Sequence, residues 1–210
     1  MLTATLIGDV VSSRDAADRT DLHARLTALL GEVNDSFPTT APLRITVGDE
    51  FQGTFATVGA ALGASLRIRV GMLPAHDVRH GVGWGEVHVL ADDPRVEDGP
   101  GWWAARDAIH EVQEAQARPA GRYRSTSFHP AADAEGPSVD LVEAALVLRD
   151  AAVGRLDARS VSILRGLLAG QTQRDLARGL GISASAVSQR VRTDGLAAIV
   201  AADVGLGRVS

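Results

Sequence analysis

A tight turn between two short apolar runs constrains the fold more than any other feature of the sequence. The runs Leu43–Val47 and Phe51–Thr57 are separated only by Gly48-Asp49-Glu50, which predicts an antiparallel hairpin. A strand over Leu2–Ile7 precedes the hairpin, followed by a helix over about Arg19–Phe37 whose apolar residues recur every three or four positions. The chain therefore begins as β-α-β-β, a unit in which the first strand lies beside the hairpin.

Later segments extend this order to β-α-β-β-α-β with additional helices. The sequence predicts helices over Gly59–Met72, Trp102–Ala117 and Ser138–Val153, a strand or bent hairpin over Val78–Leu90, and a strand over Tyr123–His129. The predicted class is α+β, with a ferredoxin-like (βαββαβ) sheet that carries its helices on one face. Beyond residue 153 we predict only helices, and therefore two domains, 1–153 and 154–210.

Charge is divided unevenly between these two parts. Residues 1–148 contain 12 Arg against 21 Asp and Glu, a net charge of −9, whereas residues 149–210 contain 9 Arg against 5 Asp, a net charge of +4. An acidic body with a basic terminal segment is a common layout where that segment meets nucleic acid. A solvated tail without a partner would have the same charge, so charge alone leaves both open.

The composition excludes several kinds of chemistry. The sequence contains neither cysteine nor lysine, which rules out disulfides, thiolate metal sites, thiol catalysis and Schiff-base catalysis. No segment approaches the roughly 18 consecutive apolar residues of a membrane span. The first residues lack the basic region of a signal peptide, so we expect a cytoplasmic protein with no membrane partner.

Two acidic side chains are placed to share one edge of the predicted sheet. Asp9 follows the first strand and Asp49 lies at the hairpin tip, so the β-α-β-β unit brings them close. Paired carboxylates of this kind bind Mg²⁺ or Mn²⁺. The turn after Asp9 offers hydroxyl, guanidinium and backbone N–H groups to a phosphate, from Ser12, Ser13 and Arg14. The alternative is an ordinary turn aspartate at Asp49 and a strand-end cap at Asp9.

Four segments, in this order, resemble signature segments of the SatD family and span most of residues 1–110: IGDVVSSR, ITVGDEFQGTF, VRHGVGWGEV and GPGWWAARDA. They are also similar to class III nucleotidyl cyclases, where an aspartate on the first strand and another in a Gly-Asp turn bind two metal ions. The string GDEF resembles the signature hairpin of diguanylate cyclases. The resemblance implies a cyclase-like core in which Asp9 and Asp49 bind metal, with Glu50 a further candidate and Arg106 a phosphate-binding residue.

The chain departs from the cyclase pattern at two positions. Ile45 stands where cyclases typically place a purine-recognising lysine. Trp102 stands where they carry the asparagine of an Asn-x-x-x-Arg pair, whose arginine matches Arg106. Charge that develops on a transferring phosphoryl group needs preorganised donors. The departures therefore argue against efficient cyclisation but are compatible with nucleotide binding.

The segment QRDLARGLGISASAVSQRVR, residues 173–192, resembles the helix-turn-helix of many bacterial DNA-binding proteins. Leu176, Ala177 and Leu180 form the predicted inner helix face, Gly181 permits a tight turn, and Ser183 can cap the second helix. A helix over Ala158–Ala169 would complete a three-helix core. The predicted DNA-contacting residues are Arg174, Arg178, Ser183, Ser185, Ser188, Gln189 and Arg192. The alternative is a helical hairpin that serves only in dimerisation.

Three functions fit these features. The leading hypothesis is a homodimeric transcription regulator, in which a cyclase-like domain binds a metal and a nucleotide or other phosphate ligand and couples it to DNA binding. The second is a metal-dependent nucleotidyl cyclase or a related phosphoryl-transfer enzyme. The third is a catalytically inactive scaffold that only dimerises the helical tail.

Overall fold

The structure is a computed structural model that describes residues 1–13, 18–93 and 95–210. The strands are β1 (Leu2–Val10), β2 (Thr39–Val47), β3 (Glu50–Phe55), β4 (Val78–Glu86), β5 (His88–Asp92), β6 (Arg95–Asp98) and β7 (Thr126–Pro130). The helices are α1 (Arg19–Ser36), α2 (Val58–Met72), α3 (Pro100–Gln116), α4 (Val139–Val153), α5 (Ala158–Leu168), α6 (Gln173–Leu180), α7 (Ala184–Thr193) and α8 (Leu196–Leu206). None of the helices in these ranges combines the length and the apolar character needed to cross a membrane.

Five strands form a mixed sheet in the order β2-β3-β1-β4-β7. Strand β1 pairs antiparallel with both β3 and β4, β2 pairs antiparallel with β3, and β7 runs parallel to β4. The segment predicted as one strand or bent hairpin, Val78–Leu90, divides at Glu86: β4 stays in the large sheet, and β5 pairs with β6 in a separate ribbon. Over the described residues, a mixed sheet combined with eight α-helices confirms the predicted α+β class.

The two faces of the sheet bury different helices. Leu6 of β1 lies in the main apolar cluster with Leu26 of α1 and Leu62 of α2. Its neighbour Ile7 points to the other face and packs against Trp102 of α3, because successive side chains of a strand alternate between faces. The prediction that the helices share one face is therefore wrong for α3.

Glycines of β4 explain how α3 comes to lie on this second face. A Cβ atom added to Gly81 would overlap the carbonyl oxygen of Ala105 and lie 2.5 Å from the backbone nitrogen of Ile109. One added to Gly83 would lie 2.5 Å from the backbone nitrogen of Ala105. The backbone of α3 thus rests directly on the strand, where only glycine leaves room.

Charged groups are buried between α2, α4 and the start of β7. The carboxylate of Asp150 accepts hydrogen bonds from the backbone N–H groups of Ser125 and Thr126 at 2.8 and 2.7 Å. Arg69 donates to both carboxylate oxygens of Asp77, at 2.8 and 3.0 Å. Arg149 donates to the hydroxyl of Thr126 at 2.9 Å. The interior therefore holds its charges only because they are paired and hydrogen-bonded.

His80 of β4 lies beside this network and contacts the ring of Phe51 edge-on. Neither imidazole nitrogen has a hydrogen-bond partner among the described residues. Burial, together with the positive charges of Arg149 and Arg69, holds the pKa of His80 well below its usual value of 6.5. The imidazole is therefore neutral at physiological pH.

The C-terminal helices pack against α2. Leu66 and Val70 of α2 share an apolar cluster with buried residues of α5, α6, α7 and α8. The guanidinium of Arg165 donates to the carbonyl oxygens of Val70 and Leu73 at 2.9 and 2.8 Å, at the end of α2 where carbonyl groups lack helical partners. Helices α5 to α8 therefore pack against α2 of the first part of the chain. The division into two domains at residue 153 stays a prediction.

Candidate functional site

The predicted site lies where β1 ends beside the tip of the β2–β3 hairpin. The turn consists of Gly48 and Asp49, and Gly48 has a φ of +63°, a conformation that favours glycine. Val47 pairs with Glu50, so Glu50 begins β3 and does not belong to the turn. The carboxylate of Asp49 accepts a hydrogen bond from the backbone N–H of Val10 at 3.0 Å. This bond fixes the hairpin tip against the end of β1, next to Asp9.

The carboxylate of Asp9 is held by an arginine that the sequence analysis did not single out. Arg79 of β4 lies directly opposite Asp9 in the strand register. Its Nε and Nη2 atoms donate to the two carboxylate oxygens of Asp9, each at 2.8 Å. Gln113 of α3 lies 3.4 Å from the same carboxylate. Asp9 therefore faces α3 and is already paired with a positive charge.

Glu50 and Arg106 form a second two-point ion pair on the same face. Two nitrogen atoms of Arg106 donate to the two carboxylate oxygens of Glu50 at 2.9 and 3.1 Å. The hydrogen bonds to Glu50, assisted by the negative charge of Asp9, raise the pKa of Arg106. The side chain of Arg106 is 42% exposed and that of Glu50 is 33% exposed, so solvent and solutes reach the ion pair.

These carboxylates do not present a ready cation site. Both oxygens of Asp9 and both oxygens of Glu50 are engaged by arginine. Over residues 1–13, 18–93 and 95–210, no group of three or more acidic or histidine side chains is arranged to hold a metal. As arranged, the residues do not fit Mg²⁺ or Mn²⁺, because both arginines would first have to release their carboxylates. Metal binding by Asp9, Asp49 and Glu50 stays a prediction.

The turn after β1 holds the predicted phosphate-binding residues. Ser12 is exposed and has a φ of 54°, a left-handed conformation that is uncommon outside glycine. Ser13 is buried, and Arg14 lies outside the described residues. The backbone N–H of Val11 donates to the carbonyl oxygen of Asp77 at 2.9 Å, which ties the turn to the start of β4. Phosphate contact by Ser12 and Ser13 stays a prediction.

Both departures from the cyclase pattern serve in packing. Ile45 is half-buried and packs against the main apolar cluster. Trp102 is 7% exposed and lies against Ile7 beneath α3. Its indole N–H has no hydrogen-bond acceptor among the described residues. Ile45 and Trp102 therefore contribute apolar contacts. At the positions that the resemblance assigns to them, cyclases carry polar groups that recognise the nucleotide.

The C-terminal segment contains two helices joined by a tight turn. Helix α6 ends at Leu180 and is capped by Gly181, which has a left-handed φ of 64°. Ser183 caps α7 by accepting a hydrogen bond from the backbone N–H of Ala186 at 3.1 Å. Leu176 and Ala177 are buried on α6, whereas Leu180 is exposed, so its assignment to the inner face is wrong. Val187 and Val191 form the buried face of α7. Of the predicted DNA-contacting residues, Arg174, Arg178, Ser183, Ser185, Gln189 and Arg192 are exposed and Ser188 is half-buried.

Arg190 fixes α7 to the start of α5, a contact that the sequence analysis did not predict. Its guanidinium donates to both carboxylate oxygens of Asp157 at 2.9 and 2.8 Å and to the hydroxyl of Ser160 at 2.7 Å. The backbone hydrogen bond from Ser160 and the side-chain bond from Arg190 lower the pKa of Asp157 to about 2. The orientation of α7 is therefore set by an ion pair as well as by its apolar face.

Comparisons with known proteins give the following matches. A family model described as the SatD family matches residues 3–202. None of the curated proteins matches the chain. Solved structures that are similar over about half of the chain include three cyclases.

The catalytic core of a rhodopsin-guanylyl cyclase with converted specificity, in complex with ATPαS, is 15% identical with a TM-score of 0.45, covering 52% of this chain and 71% of that chain. The monomeric guanylyl cyclase domain of the RhoGC fusion protein from the aquatic fungus Blastocladiella emersonii is 16% identical with a TM-score of 0.42. The match covers 52% of this chain and 74% of that chain. The adenylate/guanylate cyclase/hydrolase from Silicibacter pomeroyi is 23% identical with a TM-score of 0.38. The match covers 51% of this chain and 68% of that chain.

Proposed function

The chain belongs to the SatD family, and on that premise we propose that the face between β1, β3 and α3 binds the phosphate groups of a nucleotide. The observation that carries the proposal is the half-buried ion pair of Arg106 with Glu50, which solvent still reaches. A guanidinium offers the same two-point contact to a phosphate as to a carboxylate. An arriving phosphate therefore takes the place of Glu50 on Arg106, and the released carboxylate turns to water.

We also assign a ferredoxin-like arrangement to the core, as the resemblance to nucleotidyl cyclases implies. The assignment is supported by the strand order β2-β3-β1-β4, in which every neighbouring pair is antiparallel. It is further supported by α1 and α2, which connect these strands as the two crossovers of a split β-α-β unit. Asp9 and Glu50 then lie on adjacent strands beneath α3, which carries Arg106.

Removing the guanidinium of Arg106 tests the nucleotide proposal. We expect Arg106→Gln to bind ATP and GTP about tenfold to a hundredfold more weakly than the wild type, because hydrogen bonds to charged groups contribute about 1.5–3 kcal/mol. Isothermal titration calorimetry measures the affinity. Arg208→Gln is the matched control, since it removes an exposed charge in the C-terminal segment. An unchanged affinity would place the nucleotide elsewhere, and a wild type that binds none would favour the inactive scaffold.

A phosphoryl-transfer enzyme is the second candidate, favoured by the placement of three carboxylates at one edge, from Asp9, Asp49 and Glu50. The apolar side chains of Ile45 and Trp102 oppose it, since they supply no donor to a developing charge. Incubation with ATP or GTP and Mn²⁺, followed by product chromatography, separates the two candidates. Turnover that is lost in Asp9→Ala and Asp49→Ala would establish the enzyme, whereas nucleotide that is bound but recovered intact would leave a binding domain.

An independent observation supports contact of the tail with DNA. Helix α7 buries Val187 and Val191 and leaves the opposite face exposed, with Ser185, Gln189 and Arg192. We infer that this face enters the major groove, where hydroxyl, amide and guanidinium groups bond to base edges and phosphates. The exposed arginines of α6, Arg174 and Arg178, then face the flanking phosphates. A homodimer would present two such helices to the two halves of an operator.

The DNA proposal is tested by removing one exposed positive charge from α7. We expect Arg192→Gln to weaken binding to a fragment of the gene's own upstream region by about tenfold and to lower the slope of affinity against salt by about 1. Fluorescence anisotropy at several salt concentrations measures both quantities. Arg208→Gln, which changes the net charge equally, is the control. Wild-type protein that shows no salt-dependent binding to this fragment or to genomic DNA would remove DNA from the proposal.

A further inference from the structure

A cavity lies where the end of α3, the chain before β7 and helix α4 meet. Its volume is about 350 Å³, within the range of small-molecule sites. Its polar lining consists of three arginines and the only tyrosine of the chain: Arg118, Arg124, Arg155 and Tyr123. Alanines and Val147 contribute most of the apolar wall, and no carboxylate of the described residues lines the cavity.

Tyr123 is held in place beside the cavity. A Cβ atom added to Gly154 would lie 2.5 Å from a ring carbon of Tyr123, so the ring packs directly on the backbone at the end of α4. The guanidinium carbons of Arg122 and Arg155 lie 4.4 and 5.6 Å from the ring centroid. Such stacking is attractive and restricts both arginines. Arg122 also donates to the phenolic oxygen of Tyr123 at 2.8 Å, which leaves the phenolic proton free to donate.

The positive charges around this cavity are largely uncompensated. Arg124 pairs with Glu143 and lies 3.7 Å from Glu111. The guanidinium groups of Arg122 and Arg155 contact Tyr123, and no ion pair of Arg118, Arg122 or Arg155 occurs within the described ranges. The whole chain nevertheless has a net charge of −5. Like charges gathered at one cavity create a local positive potential, which an anion relieves.

We propose that this cavity binds a phosphate-bearing anion, either an inorganic diphosphate or the phosphate groups of a nucleotide. Phosphate oxygens accept hydrogen bonds from Arg118 and Arg155, because a guanidinium is suited to two-point contact with phosphate. The hydroxyl of Tyr123 donates a further hydrogen bond. None of these residues belongs to the face that carries Asp9, Glu50 and Arg106. The proposal therefore goes beyond the nucleotide site proposed above.

Pyrophosphate is the probe, titrated by calorimetry in chloride buffer. The titrations use the Arg106→Gln variant, so that the first proposed phosphate site does not contribute. We expect binding in this background, and at least a tenfold loss of affinity when Arg118→Gln and Arg155→Gln are added. Adding Arg159→Gln instead should leave the affinity unchanged, since Arg159 is exposed on α5 and does not line this cavity. Circular dichroism verifies that each variant remains folded.

AMP and adenosine distinguish the sources of the phosphate. Binding of pyrophosphate but not AMP would assign an inorganic diphosphate, and tighter binding of AMP would assign a nucleotide. Equal affinities for AMP and uncharged adenosine would overturn the proposal, because phosphate would then contribute nothing. So would an absence of both pyrophosphate and AMP binding, or an affinity that the two arginine substitutions leave unchanged. These outcomes do not depend on Arg106, so the two proposals succeed or fail separately.

Discussion

Replacement of Asp150 by alanine is expected to lower the free energy of unfolding by about 3–5 kcal/mol. The residue is 1% exposed, and one carboxylate oxygen accepts the backbone N–H groups of Ser125 and Thr126. The other oxygen lies 3.5 Å from the guanidinium groups of Arg69 and Arg149. Alanine leaves two buried N–H groups without an acceptor and two buried cations with less opposite charge, and each loss is costly.

Urea denaturation followed by tryptophan fluorescence measures the effect. Asp140→Ala is the control, because Asp140 is exposed in the first turn of the same helix and contributes at most about 1 kcal/mol through the helix dipole. If Asp150→Ala does not fold, Asp150→Asn retains an acceptor for the N–H groups and should show a smaller loss. Losses below about 1 kcal/mol in both Asp150 variants would contradict the role assigned to the buried network.

Local patterns predicted most helices and the tight turns. The predicted helices Arg19–Phe37 and Gly59–Met72 end within one residue of α1 and α2, because apolar periodicity depends only on nearby residues. The turn at Gly181 and the cap at Ser183 also followed from the sequence. Each of them requires a particular residue type at a fixed offset from a helix end.

Partners across the sheet could not be predicted in this way. Arg79 meets Asp9 across 70 residues of sequence because of the register between β1 and β4, and no local pattern encodes that register. Arg106 meets Glu50 because α3 lies over the sheet. The carboxylates expected to face a cation therefore face guanidinium groups, whereas their common location at one edge was accessible from the order of elements.

The glycines of β4 indicate the position of α3, but the sequence alone led us to a different interpretation of them. The segment VRHGVGWGEV, with glycines at positions 81, 83 and 85, belongs to the run Val78–Leu90 that we predicted as a strand or bent hairpin. In the structure these glycines mark the close approach of a helix backbone to β4. Because these glycines leave one face of β4 without side chains, a shallow channel forms along the strand, and α3 lies in it. The placement of Arg106 and Gln113 over the site depends on this channel.

Gly81→Ala is expected to destabilise the protein by about 3 kcal/mol and to weaken nucleotide binding as much as Arg106→Gln does. The added methyl group would overlap the carbonyl oxygen of Ala105 and the backbone nitrogen of Ile109. Backbone atoms of a helix cannot turn aside as a side chain can, so α3 must shift, and overpacking of this kind costs about 1–3 kcal/mol or more. Arg106 follows Ala105 directly and moves away from Glu50. Urea denaturation and calorimetry with ATP and GTP measure the two effects.

Gly31→Ala is the matched control, because the same methyl group on α1 meets no atom within 4 Å. Alanine is the better helix former, so this variant should gain up to about 1 kcal/mol and bind nucleotide as the wild type does. Stability of Gly81→Ala equal to that of the wild type would mean that α3 does not rest on β4. If Gly81→Ala is destabilised but binds nucleotide as tightly as the wild type, Arg106 does not contact the nucleotide. The nucleotide proposal would then require a site that does not depend on the position of α3.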